Sequence, residues 1–516
     1  MTEQAGLVVD TTSGRVRGVR EARGRRKDTV RVWRGIPFAA PPVGPLRFRA
    51  PQPVLGWAGE LDAREFGSVP VQLRTPSAAG GAGRRVMSED CLTLNVYTPD
   101  RPGVPSDAGR PVIVWIYGGA FTVGAGANHP GERLALAADT VVVTFNYRLG
   151  ALGFLDFSVF STPDRSFDGN LGMLDQIAAL EWVRDNIAAF GGDPGNVTIM
   201  GESAGGISVV ALMCSPRASG LFHRAIAQSP AARAVTPRDQ AAQWARQYAG
   251  FLDAGDPTLT GDARAVAALE AATPEQLVAA SQALASYHQQ ATPGLLVHSP
   301  VVDGDVLPRH PVQTFEEGAA ARVPLLLGAN DNEGQLFQLF RLLTGEEMLP
   351  TSAALQSRMF ALTDPEAKQR IIAAYSGYPK ASARAQLIGD MIFWAPTVAI
   401  ATAHARHSPT YMYRFDQSTP RTRRIGVGAT HGADIGYVFG QLGDLVSPVG
   451  TSRAARLTSA RMMRLWGRFA ATGAPDVRWP AYDERRPTMI IDDHWRVEFD
   501  PRGYRHRAWA GFNGWE

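Results

Sequence analysis

The stretch Gly201-Glu202-Ser203-Ala204-Gly205 constrains this chain more than any other. It lies between an apolar run, Val197 to Met200, and a second one, Ile207 to Met213. Strand, Gly-x-Ser-x-Gly turn and helix in that order form a nucleophile elbow. Glycine on either side of the serine leaves room for backbone segments that a sharp turn forces together. The same turn lifts the Ser203 hydroxyl above the sheet edge and puts the following amides at a helix N-terminus, where developing negative charge is favoured. Alone, Gly-x-Ser-x-Gly is a weak signal, since an ordinary small-residue turn reads the same way. The flanking strand and helix give it weight.

Further buried strands are predicted at Val112 to Tyr117, Val141 to Tyr147, Leu325 to Leu327 and Tyr411 to Phe415, short apolar or β-branched runs that end in Gly-rich or polar loops. Between Asn170 and Phe190, the residues Leu171, Leu174, Ile177, Leu180, Val183 and Ile187 recur at spacings of three and four. That pattern predicts an amphipathic helix, with Asp168 and Asn170 available as caps. Strands alternating with helices imply an α/β fold, a largely parallel sheet covered on both faces. The Ala-rich stretch from Ala231 to Gln290, broken by Gly250, Gly255, Pro257 and Gly261, predicts a helical insertion without a strand. Thr75 to Arg85 and Arg101 to Arg110 read as exposed loops. No repeat divides the chain, so residues 1–516 are expected to form one domain carrying that insertion at about 231–290.

A serine hydroxyl attacks a carbonyl only when a base takes its proton, so the elbow predicts a histidine and an orienting carboxylate elsewhere. In elbow enzymes the chain order is serine, acid, histidine. Of the ten histidines, His404, His407, His431, His494 and His506 follow that order. His404 and His407 sit three apart in a helical stretch, where helix-surface roles fit better, and His494 and His506 lie beside Trp and Arg with no Gly-rich loop to free their rings. His431, in Gly428-Ala-Thr-His431-Gly432 after a strand, is the favoured base. With a histidine base, activity is expected to rise with pH along an apparent pKa of about 6–7. The acid is sought in Gly328-Ala-Asn-Asp331-Asn-Glu333-Gly334, where Asp331 and Glu333 serve equally well by position. Oxyanion donors are sought in Ile116-Tyr-Gly-Gly119-Ala120-Phe121, whose small residues let backbone amides converge on one oxygen. Oxyanion loop, elbow, acid and base thus each follow a different strand at its carboxyl end, the edge where open α/β sheets bind ligands.

Composition excludes other classes. The chain carries 52 Lys+Arg against 49 Asp+Glu, a formal charge of +3, too even for a phosphate-binding surface, so no nucleic-acid partner is expected. The basic clusters Arg23 to Lys27 and Arg421 to Arg424 read as solvated turns. No apolar run approaches the roughly 20 residues that cross a bilayer, so no membrane span is expected. Two cysteines, Cys91 and Cys214, permit at most one bridge. Met1 to Asp10 lacks the pattern of a secretion signal, which implies a cytoplasmic protein. Oligomeric state is not legible.

A longer set of segments carries a family resemblance. Asn170-Leu-Gly-Met-Leu-Asp175, Gly191-Gly-Asp193-Pro and Gly201-Glu-Ser203-Ala-Gly-Gly206 together resemble the signature of type-B carboxylesterases, the cholinesterase-like branch of the α/β-hydrolase fold. The resemblance extends through Arg34-Gly-Ile-Pro-Phe-Ala39, Pro41-Pro-Val-Gly-Pro-Leu-Arg-Phe48, Ser88-Glu-Asp-Cys-Leu-Thr-Leu-Asn-Val96, Asn146-Tyr-Arg-Leu-Gly150, Pro300-Val-Val-Asp-Gly304 and His431-Gly-Ala-Asp-Ile-Gly-Tyr-Val-Phe-Gly440. Bacterial members such as the p-nitrobenzyl esterases are the most similar, sharing Gly-Gly-Ala-Phe followed by Gly124-Ala-Gly126. The resemblance implies a serine carboxylesterase acting on small ester substrates through an acyl-enzyme, with no cofactor or metal. Its nucleophile falls on Ser203, its base on His431 and its acid on Glu333 rather than Asp331. Its oxyanion amides fall on Gly119, Ala120 and Ala204, its second acidic residue on Glu202, and its buried serine near the acid on Ser229.

Two departures bear on function. Secreted relatives pair a cysteine at the Cys91 position with one in Phe-Gly-x-x-Cys-x-Gln, and here that segment reads Phe66-Gly-Ser-Val-Pro70-Val-Gln72. Both cysteines are therefore expected as free thiols. Between Gln72 and Ser88 there is no aromatic residue to hold a quaternary ammonium, which argues against choline esters. The same triad would also serve a carbamate or aryl amide, and some members keep the fold as adhesion proteins without the chemistry. Leu336-Phe-Gln-Leu-Phe340 and Phe393-Trp394 read equally as pocket wall or as core.

Overall fold

Runs such as Val141-Val-Val-Thr-Phe145 lack any alternation of apolar and polar residues, and strands of that kind need cover on both faces. The computed structural model describes residues 7–23, 28–75, 82–101, 109–252, 261–291, 296–345, 347–361, 363–442 and 452–512. Eleven strands among them form one sheet: β1 (Val19–Arg23), β2 (Asp28–Pro37), β3 (Thr93–Asp100), β4 (Arg110–Ile116), β5 (Val141–Phe145), β6 (Gly192–Glu202), β7 (Arg224–Gln228), β8 (Leu325–Asn330), β9 (Thr410–Phe415), β10 (Pro487–Ile491) and β11 (Arg496–Phe499). Their order in space is β11-β10-β9-β8-β7-β6-β4-β5-β3-β2-β1. Pairing is parallel from β10 to β5 and antiparallel only at the flanks. This is the α/β-hydrolase fold.

That order has a functional consequence. From β4 the chain moves to β5 on one side, and from β6 to β7 on the other, so the strand order reverses between β4 and β6. Ligands in open α/β sheets bind at such a reversal. Ile116 at the end of β4 pairs with Gly201 near the end of β6, which brings the loops that follow them side by side.

The helices that matter for the site are α1 (Leu171–Asn186), α2 (Ala204–Cys214), α3 (Arg238–Phe251), α4 (Gly261–Ala271), α5 (Pro274–Ala291), α6 (Gly334–Thr344), α7 (Ala381–Gly389), α8 (Ala395–His404), α9 (Arg453–Thr472) and α10 (Gly503–Ala508). A π-helical turn, Asp390–Trp394, joins α7 to α8. Helix α1 corrects two expectations. It is buried nearly all round rather than amphipathic, because Asp175 turns inward to hold Arg148 in a buried two-pronged ion pair, and Gln176 turns inward to donate to Ser208 Oγ. Neither proposed cap caps it. Asn170 donates to Val301 O and Asp303 instead, and Asp168 accepts from Arg49 and the Ala50 amide.

Helices α3 to α5 fill much of the stretch read as a helical insertion, and Trp244, Tyr248, Leu269, Leu277 and Leu284 share a core with Phe157 and Phe160, apart from the main one. A strand occurs where none was expected, since Thr236–Pro237 pairs with Val301–Val302. Two residues are too few to leave a periodic trace in sequence. Arg421 to Arg424 belong to a short helix, Pro420–Arg424, rather than to a turn. Residues 76–81 and 102–108 of the two expected loops, and 24–27 of the first basic cluster, lie outside the described residues. Among the described residues one helical run, Ala381–His404, is long and apolar enough to cross a membrane, but 78% of its apolar window is buried inside the molecule, as in a core helix.

Candidate active site

Strand β6 ends at Glu202 and α2 starts at Ala204, so one residue makes the whole turn. Ser203 takes φ 57° and ψ −121°, a conformation that L-residues rarely adopt. Sterics explain the flanking glycines: a Cβ on Gly205 would come 2.0 Å from Ile116 O, and one on Gly201 2.4 Å from Gly205 O. Ala204, as the first residue of α2, keeps an N–H with no partner inside the helix.

Ser203 Oγ lies 2.8 Å from His431 Nε2, and His431 Nδ1 lies 2.6 Å from Glu333 Oε2. One tautomer satisfies both contacts, with Nδ1–H donating to the carboxylate and Nε2 accepting from the hydroxyl. The second oxygen, Glu333 Oε1, accepts from Ser229 Oγ and from the Asn330 amide, each at 2.6 Å. A parallel bridge between Asn332 and Thr430 ties the carboxylate loop to the histidine loop. Phe337 on α6 and Phe393 in the π turn pack on the imidazole, with ring centroids 5.3 and 4.5 Å away. Phe337 and Phe393 therefore border the site, and both are buried, as is Trp394.

Asp331 is turned away from His431. It pairs with Arg502 just before α10, with Arg414 at 3.7 Å, and accepts from Asn332 Nδ2. The other histidines are remote in function. His404 is buried rather than on the helix surface, with Nε2 2.8 Å from Val323 O and its ring edge-on to Phe315. His506 Nε2 contacts Arg486 at 2.6 Å.

Beyond β4, Gly119 has φ 121° and Ala120 φ 52°. The amides of Thr122 and Val123 both donate to Gly119 O, at 3.0 and 3.1 Å, which closes a tight turn. Among the described residues nothing accepts from the Gly119 or Ala120 amide. A Cβ on Gly118 would meet Glu202 O at 2.6 Å and Ser203 Cβ at 3.0 Å, so this loop packs directly on the elbow.

Three buried carboxyls surround the imidazole. Glu202 Oε1 lies 3.4 Å from His431 Nε2 and has no hydrogen-bond partner. Burial, reinforced by Asp434 and Glu333, pushes the Glu202 carboxyl up to about 8, although His431 opposes the shift. Burial by itself lowers the imidazole, but the charges of Glu202 and Glu333 outweigh it and push His431 up to about 9. That is higher than the value of about 6–7 expected from the residue type alone. Asp434 is also raised by burial, and it accepts from Gln228 Nε2 at 2.7 Å and from Tyr413 OH at 2.8 Å. Among the described residues no group of three or more His, Cys, Asp or Glu could hold a metal ion. Cys91 and Cys214 are both free and buried, and Pro70 lines the same small cavity as Cys91.

Residues 5–509 match the Carboxylesterase family. The chain belongs to that family. This carboxylesterase is 36% identical over 519 residues to the para-nitrobenzyl esterase of Bacillus subtilis, covering 98% of each chain. It is 35% identical to human carboxylesterase 3, over 95% of this chain and 88% of the relative. Among solved structures, a thermophilic PNB esterase superposes with a TM-score of 0.85 at 35% identity, covering 98% of this chain and all of that one. A carboxylesterase from Geobacillus stearothermophilus gives 0.80 at 34%. The enzyme is a carboxylic ester hydrolase.

Sequence reasoning missed several parts of this carboxylesterase site. Asn330 links Glu333 to Asp434, which also accepts from Gln228 and Tyr413, yet each of the four looks like an ordinary polar residue near a strand end. Proximity to a motif was the available signal, since Gln228 precedes Ser229 and Asp434 lies three residues after His431.

Proposed function

We propose that the enzyme cleaves esters through a covalent acyl-serine, with Ser203 as nucleophile, His431 as base and Glu333 as the acid that orients it. The supporting observation is the unbroken chain Ser203 Oγ–His431 Nε2 and His431 Nδ1–Glu333 Oε2, at 2.8 and 2.6 Å. Ser203 Oγ adds to the ester carbonyl carbon while its proton passes to Nε2. The carbonyl oxygen becomes an anion held by the Gly119, Ala120 and Ala204 amides. The C–O bond to the alcohol then breaks, and His431 returns the proton to the leaving oxygen. Water repeats the sequence on the acyl-enzyme: His431 takes its proton, the resulting hydroxide adds to the carbonyl, and the Ser203–acyl bond breaks as His431 returns the proton to Ser203 Oγ, releasing the carboxylic acid. Glu333 stabilises the imidazolium that forms. Ser229 acts on Glu333 alone, by donating to the oxygen that His431 leaves free.

Ser203→Ala tests this reading. Roughly 10⁴-fold or greater loss of kcat is expected with the thermal midpoint preserved, along with loss of the stoichiometric organophosphate labelling expected for the unaltered enzyme. More than a few per cent residual activity in pure variant would overturn it.

A further inference from the structure

Gln72 belongs to a segment, Phe66 to Gln72, that the catalytic chemistry leaves unused. Its side chain is nonetheless buried, 3% exposed, and fully engaged with one backbone unit. Oε1 accepts from the Gly124 amide at 2.9 Å, while Nε2 donates to Gly124 O at 2.8 Å and to Pro70 O at 2.9 Å. The carboxamide thus pairs with Gly124 from both sides, as a neighbouring strand would. Gly124 is closely packed on its other side. At φ 135° an added Cβ would come 2.3 Å from the Tyr117 ring, and Tyr117 is pinned through Tyr147 OH, which donates to its carbonyl at 2.6 Å.

The connection onward is through the backbone. Gly124 follows Val123, whose amide, with that of Thr122, donates to Gly119 O. Gly119 O and the Ala120 N–H belong to one planar trans peptide, so they point in opposite directions. Fixing the carbonyl on Val123 therefore aims the Ala120 N–H the other way. From Gln72 to Gly124, Val123, Gly119 O and the Ala120 amide, each link is a hydrogen bond or a covalent neighbour.

We propose that Gln72 is a positioning residue for the oxyanion amides, holding the loop from Gly118 to Gly126 so that the Ala120 N–H faces the carbonyl oxygen bound at Ser203. The proposal rests on the acyl-serine reading above. Asn146 braces the same loop one step further on, accepting from the Gly126 amide at 3.0 Å, so the loop retains an anchor when Gln72 is changed.

The test is Gln72→Met, which keeps length and volume and removes all three hydrogen bonds. The probes are a trifluoromethyl ketone, which forms a tetrahedral adduct on a reactive serine, and an ether analogue of the substrate, which binds without forming one. For the variant, kcat should fall roughly 10- to 100-fold with KM changed less than about threefold, and ketone affinity should fall by the same factor as kcat/KM while ether affinity stays constant. Gln72→Asn, one methylene shorter and unable to reach both Gly124 groups, should give the same pattern and serves if the methionine variant does not fold. A variant with a lowered thermal midpoint but unchanged kcat and ketone affinity would overturn the positioning role. If the unaltered enzyme bound the ketone no better than the ether, the acyl-serine reading would fall, and this proposal with it.

Discussion

The two sides of Ser203 are held by different physical means. On the Gly119 side, the loop is shaped by missing side chains and backbone hydrogen bonds: Cβ atoms at Gly118 or Gly119 would strike Glu202 O or Val123 O, and Gln72 and Asn146 supply amide braces. On the His431 side, position and protonation both depend on buried carboxyls, Glu333, Glu202 and Asp434. Steric fixation does not respond to pH, whereas charge fixation does. Substitutions on the first side should change how much activity remains, and substitutions on the second should also change the pH at which it is seen.

The largest effect is expected on the charged side. Glu333→Ala should lower kcat by about 10³- to 10⁴-fold, as loss of an orienting carboxylate does elsewhere, while Asp331→Ala costs far less because Asp331 holds Arg502 and not His431. Equal losses in side-by-side kinetics would overturn that division. Next comes the steric side. An alanine at Gly119 would put its Cβ 2.1 Å from Val123 O at a φ of 121°, so the turn must shift. Gly119→Ala is expected to cost about 10²-fold in kcat, with the pH–kcat/KM profile unmoved. A displaced profile would break the comparison.

Glu202→Gln sharpens it from the other direction. The Glu202 charge raises His431, and activity needs the neutral imidazole, so removing that charge lowers the His431 pKa and moves the acidic limb of the profile to lower pH. An unmoved limb would mean that Glu202 carries no charge in the free enzyme. The smallest effect belongs to Ala120, the one residue between Gly118 and Ala120 with a Cβ, which sits at φ 52°, where non-glycine residues cost about 1–2 kcal/mol. Ala120→Gly should keep hydrolysis of primary esters and raise that of tert-butyl acetate by about tenfold or less, the lower end of the roughly 1–3 kcal/mol by which one methyl changes discrimination. Unchanged selectivity would mean that this methyl points away from the alcohol.

The same contrast governs what could be read from sequence. Steric demands leave glycines at fixed offsets, so the elbow at Ser203 and the loop at Gly119 were visible in short motifs, and short apolar or β-branched runs marked β4, β5, β6, β8 and β9. The carboxyl side is assembled by tertiary contact. Spacing left Asp331 and Glu333 level as candidates, and only the resemblance favoured Glu333, the residue found against His431. Beyond their nearness to Ser229 and His431, Gln228 and Asp434 carried no sign of a role, and Tyr413 carried none at all, because a buried polar network is specified by where strands end up. Helix α1 misled for a related reason: apolar residues at every third or fourth position say nothing about polar neighbours that also turn inward.

The pairing of Asp331 with Arg502 also sets the order in which the carboxylate loop is tied down. Arg502 lies 171 residues after Asp331. During synthesis at about 5–20 residues per second, the carboxylate loop waits roughly 10–30 s for that arginine to be made. Strands β1 to β11, Ser203, Glu333 and His431 are all translated before Arg502, while the loop bearing Glu333 still lacks that outer tether. A nascent chain therefore carries all three residues of the proposed triad before the last part of the frame around one of them. Release after His431 but before Arg502 yields a polypeptide with the full set of proposed triad groups and a carboxylate loop short of one tether.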